Sequence, residues 1–147
     1  VAKEENMRKW LPGIALVVLA LAVPSVGAAD DLTGQREFLC TAVQVHVCND
    51  DGECMSDQPW DLNIPQFIEV NLKDKKLSTT KASGEARSTP IKNMERADGL
   101  IALQGFEMGR AFSFLITEKT GMLVVSVARE GKTVSVFGAC TPMAASK

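Results

Sequence analysis

Between residues 41 and 47 the chain alternates strictly, with Thr41, Val43, Val45 and Val47 on one side and Ala42, Gln44 and His46 on the other. Period-two alternation built on β-branched residues predicts a half-buried strand, here over residues 38–48. From residue 67 onward short apolar runs of the same kind recur: 67–72, 77–81, 87–96, 100–105, 110–117, 122–128 and 132–140. Charged and glycine-containing turn compositions separate them, for example Ala97-Asp98-Gly99 and Arg129-Glu130-Gly131. That punctuation is the pattern of an antiparallel meander, and no stretch from residue 67 on holds a helical period. Together with the first run this gives eight strands.

The cysteines say how such strands close. Cys40 and Cys48 are eight residues apart on one extended strand, roughly 26 Å at about 3.3 Å per residue, too far for a disulfide. The turn composition Asn49-Asp50-Asp51-Gly52-Glu53 brings Cys54 back beside Cys48. Cys140 ends the last apolar run and is left for Cys40. In an eight-stranded up-and-down barrel the end of the last strand lies beside the start of the first, which is where these two cysteines fall. The expected fold is therefore all-β: a small antiparallel β-barrel, lipocalin-like in architecture and closed by a disulfide. The alternative is a two-sheet β-sandwich in which the same bond crosses between sheets.

Alternation in the late strands separates an interior from an exterior. Phe112, Phe114 and Ile116, then Leu123, Val125 and Val127, then Val134 and Val136 are expected to point inward and to face any ligand. Leu115, Met122 and Val124 fall on the opposite faces, an apolar strip open to cover by a partner chain or by lysine and arginine stems.

At the amino terminus Lys3, Arg8 and Lys9 precede an uncharged run whose apolar centre ends at Pro24, followed by Ser25-Val26-Gly27-Ala28-Ala29. A basic start, a short apolar centre and a small-residue exit predict a secretory signal peptide over residues 1–29; a membrane anchor is the competing reading. No cysteine follows the apolar centre, so a lipoprotein attachment point is absent. Residues 30–147 then form one domain, exported to the periplasm or the extracellular space, where four cysteines imply disulfides rather than a metal site.

Charge changes the picture only modestly. From Asp30 on there are 13 Lys and Arg against 16 Asp and Glu, a net of −3, with −6 concentrated in residues 49–69 and +4 in residues 73–96. Lysines in that basic hairpin also keep sheet edges from pairing with other chains. Asp50, Asp51 and Glu53 are candidate calcium ligands, although they lack the alternating spacing of a calcium loop; a solvated turn is the simpler reading. Trp60, Leu62 and Ile64 alternate with polar residues, which predicts that the acidic connection packs over one end of the fold.

Catalysis is not expected. His46 is the single histidine, no Gly-x-Ser-x-Gly or glycine-rich phosphate loop occurs, and the carboxylates cluster in a turn. Few aromatics are available to stack bases, which disfavours nucleic acid. The expectation is a non-catalytic binding module for a small apolar ligand, with no cofactor and no stable membrane span after processing. The alternative is a protein-interaction module, such as an envelope assembly factor or a protease inhibitor.

Overall fold

The structure, a computed structural model, describes residues 30–83 and 86–143. The signal peptide expected over residues 1–29 lies outside the described residues. Among the described residues ten strands occur, in the order β1 (Glu37–Asn49), β2 (Cys54–Asp57), β3 (Phe67–Asn71), β4 (Lys76–Thr79), β5 (Ser88–Pro90), β6 (Asn93–Ala97), β7 (Leu100–Glu107), β8 (Arg110–Thr117), β9 (Met122–Arg129) and β10 (Lys132–Pro142). Nine of them form one antiparallel path, β5-β4-β3-β1-β10-β9-β8-β7-β6, and β2 pairs with β1 beside it.

Tight turns set this register. Asp98-Gly99 and Met108-Gly109 are two-residue connections with both residues left-handed, the geometry that matches the twist of the flanking strands. The sheet is curled, as its core requires. Leu77 of β4 and Leu103 of β7 belong to one buried cluster, yet six strand-to-strand steps of about 4.8 Å would hold them far apart in a flat sheet. The result is a half-barrel with its apolar face inside.

Eight expected strands became ten for identifiable reasons. The run 87–96 is split at Ile91 and Lys92 into β5 and β6. There the Ile91 N–H donates to Lys75 O (2.8 Å) while the Lys92 N–H donates to Gln104 O (2.8 Å), so successive residues bond toward β4 and toward β7. The acidic connection 49–66 is not strand-free: it holds β2, followed by a 3-10 turn over Pro59–Leu62.

The face assignment in β1 needs correction in its first half. Phe38, Cys40 and Ala42 point inward, then Val45 and Val47, while Val43 is 62% exposed. The register shifts between Ala42 and Gln44, so Val43 is the extra residue of a β-bulge and flips the alternation. Opposite it, a Cβ on Gly138 would lie 2.0 Å from Thr41 O, so the close approach of the two strands requires glycine there.

One end of the curled sheet is stoppered by the segment before β1. Leu32 is fully buried in the core, and its N–H donates to Glu118 O. Arg96 fastens the segment: its Nε and one NH2 donate to the Glu118 carboxylate (3.0 and 2.9 Å), and its amino groups also donate to Leu32 O (2.9 Å) and Gln35 O (2.7 Å). Lys119 and Asp31 form a second, more exposed pair at 2.8 Å.

The bidentate bond from Arg96 holds the Glu118 carboxyl below its ordinary value of 4.5. Lys119, with the Thr33 amide, holds Asp31 well below the usual carboxylate range. The folded state thus releases the Glu118 proton more readily than the unfolded chain. The resulting stabilisation is complete above about pH 4.5 and fades as pH falls through the lowered folded value. Arg96→Ala is expected to cost about 2 kcal/mol at neutral pH. Urea titrations should show the gap to wild type narrowing below about pH 4 as Glu118 takes up its proton; a gap independent of pH would contradict this coupling.

Candidate functional site

Above that stoppered end the interior is incompletely filled. A cavity of about 150 Å³ runs from the level of the Cys40–Cys140 disulfide to the opposite rim of the sheet. Its walls are apolar: Ala42 from β1, Ile68 from β3, Leu77 from β4, Phe112 and Phe114 from β8, Leu123, Val125 and Val127 from β9, and Val136 from β10. Ala42 is the smallest side chain on these walls. The Phe112 ring lies directly over Gly105, where a Cβ would sit 2.2 Å from Cζ of the ring, and packs edge-on against Phe114 with centroids 5.7 Å apart.

The mouth is built from loops and strand ends. Asn63, Ile64 and Pro65 reach it from the connection after the 3-10 turn, Thr79 and Arg87 flank it on one side, and Glu107 with Arg110 on the other. Glu107 and Arg110 face each other in the β7–β8 register. The Arg87 backbone is fixed by reciprocal bonds with Thr79: its N–H donates to Thr79 Oγ1 (2.8 Å) and its carbonyl accepts from Thr79 N–H (3.0 Å). The connection after β2 therefore does cover one end, but with only one of the three residues its alternation suggested, Ile64. Pro59 is buried and Ile64 packs on the core, whereas Trp60 and Leu62 are exposed, because a 3-10 turn replaces the expected extended alternation.

Of the residues expected to face inward, Phe112, Phe114, Leu123, Val125, Val127 and Val136 line the cavity. Ile116 is fully buried in the filled half, and Val134 is partly buried against the core; neither reaches the cavity. Sequence reasoning missed Arg87, Glu107 and Arg110, since only the folded arrangement brings them to the rim beside Ile64.

Both disulfides join residues directly opposite one another on neighbouring strands: Cys40 with Cys140 on β1 and β10, Cys48 with Cys54 on β1 and β2. Asp50, Asp51 and Glu53 lie in the exposed turn between β1 and β2, where Asp51 Oδ1 accepts the Glu53 N–H (2.9 Å). Among the described residues no group of three or more His, Cys, Asp or Glu is placed to hold a metal. His46 lies on the outer face, with Ser56 Oγ 2.9 Å from its Nδ1 and the Phe137 ring edge-on at 5.7 Å. On that face Leu115, Val124 and Phe137 occupy one row of neighbouring strands and are all exposed, with Met122 and Val43 nearby. No helix among the described residues is long and apolar enough to cross a membrane. No protein-family model matches the chain, and neither does any curated protein sequence.

Proposed function

We propose that this protein is an exported, non-catalytic carrier or sensor that takes a small apolar molecule into the curled sheet. The observation that carries the reading is the apolar cavity behind a defined mouth. A dry cavity of about this size, lined by aliphatic and phenyl groups, is known to accept a benzene-sized guest. The opposed hydrogen bonds of Ile91 and Lys92 support the finer reading that the sheet closes into a lipocalin-like barrel, since they carry the backbone ladder from β4 across to β7. Two disulfides and the composition of residues 1–29 support export to an oxidising compartment.

Ala42, at 7% exposure on the cavity wall, is the position at which to test this. Ala42→Leu fills space that is empty, so it should leave stability unchanged or raise it by up to about 1 kcal/mol. It should also abolish the toluene-induced shifts in amide NMR signals of β8 and β9 that wild type is expected to show. Absence of those shifts in wild type would remove the ligand reading. The second reading, a surface that docks a partner protein, rests on the exposed row Leu115, Val124 and Phe137. It predicts that Leu115→Lys abolishes partner capture while toluene binding persists.

A further inference from the structure

Two of the segments that line the mouth also hold large apolar side chains out in solvent. Asn63, Ile64 and Pro65 line the opening, and the 3-10 turn directly before them holds Trp60 at 60% and Leu62 at 36% exposure. That turn is tied to the lining, since the Ile64 N–H donates to Pro59 O (2.9 Å). Glu107 and Arg110 line the opening from the β7–β8 hairpin. Between them in the chain Met108 is 78% exposed, the most of any large apolar side chain among the described residues, and the adjoining Phe106 is 60% exposed. Turn chemistry does not account for Met108. The β6–β7 hairpin, at the stoppered end, turns on Asp98-Gly99 with φ of 53° and 75°, a pair that such a turn favours. Met108-Gly109 repeats the geometry, with φ of 48° and 75°, but puts an apolar side chain where asparagine or aspartate fits the left-handed backbone better. A residue unsuited both to its turn and to water points to a surface that it enters.

Charge narrows what that surface is. The turn between β1 and β2 lies at this same end, because the strand registers align Ala111 through Ala128 and Thr133 with Cys48. Residues 49–69 carry a net −6, so an anionic surface is repelled and a zwitterionic one is not. Tryptophan suits the boundary between headgroups and acyl chains, and the other three side chains suit the hydrocarbon beneath it. Resting on the small-ligand reading above, we propose that the rim of the mouth docks on a zwitterionic lipid surface. Trp60, Leu62, Phe106 and Met108 enter it, and the opening turns toward the bilayer. An apolar guest then passes between bilayer and cavity without crossing water.

Trp60 is the only tryptophan in residues 30–147, so Trp10→Phe makes it the sole reporter in the full chain. Added to phosphatidylcholine vesicles whose acyl chains are brominated, this chain is expected to show quenched Trp60 emission that added salt does not restore. Met108→Asn supplies a residue the turn favours, which protects the fold, and should raise the lipid concentration for half-quenching about tenfold. A control chain with Trp10→Phe, Trp60→Phe and Leu100→Trp carries its reporter beside Gly99 at the stoppered end and should stay unquenched. Equal quenching of the two reporters would overturn the orientation. An unchanged midpoint in Met108→Asn would overturn the assigned contact, quenching that salt reverses would overturn insertion, and no quenching would overturn the docking altogether. Toluene-induced amide shifts, recorded on the same chain without vesicles, separate this failure from that of the ligand reading. Shifts without quenching leave the cavity reading standing; quenching without shifts upholds the docking rim and overturns the ligand it would load.

Discussion

Replacing Cys40 and Cys140 together by alanine is expected to lower stability by about 4–5 kcal/mol. The bond closes a span of 100 residues, and loop-closure entropy released to the unfolded chain grows with that span. Domains of this size are stable by only about 5–15 kcal/mol, so the variant should be largely unfolded at the temperature where wild type begins to melt. The matched removal of Cys48 and Cys54 spans six residues and should cost about 2 kcal/mol by the same relation. Urea denaturation of both variants checks the ratio. Equal losses would mean that the long bond contributes through local packing, both of its sulfur-bearing residues being about 1% exposed, and not by holding β1 to β10.

Leu32→Ala is expected to cost about 3 kcal/mol, although Leu32 belongs to no strand. Its side chain is wholly buried in the common core, and the backbone around it is held at Glu118 O and by Arg96. A pinned backbone cannot collapse into the vacated space, so the cavity term adds to the lost transfer energy. The same substitution at a loosely held terminus would cost under about 0.5 kcal/mol. Chemical denaturation separates the outcomes, and a small loss would show that residues 30–36 lie on the domain without closing it.

The contrast between what could and could not be read beforehand follows from the range of each signal. Strands β7 to β10 announce themselves because each is a run of eight or more residues entered from a glycine turn, and Gly99, Gly109, Gly121 and Gly131 all adopt positive φ. The disulfide partners were legible because a strand cannot bend its own ends together. The bulge at Val43 was not, since Thr41, Val43, Val45 and Val47 are all β-branched and read as unbroken alternation. Strand β2 was hidden by its own content: Cys54, Met55, Ser56 and Asp57 form a short, mostly exposed strand with no apolar face to reveal it. The cavity walls followed from alternation within strands. The rim did not, because Ile64, Arg87 and the Glu107–Arg110 end of the β7–β8 hairpin meet only through the curl of the sheet.

The nesting of the two disulfides, one inside the other, bears on how the chain reaches its native pairing. During synthesis Cys40, Cys48 and Cys54 all exist long before Cys140 does, and short loops close most readily. Cys40 is therefore the thiol most exposed to a wrong partner. The β1–β2 hairpin removes the hazard: it places Cys54 opposite Cys48 and, by keeping β1 extended, holds Cys40 roughly 26 Å from Cys48. A local hairpin of some twenty residues acts as a chaperone within the chain, keeping one sulfur in reserve until the last strand arrives.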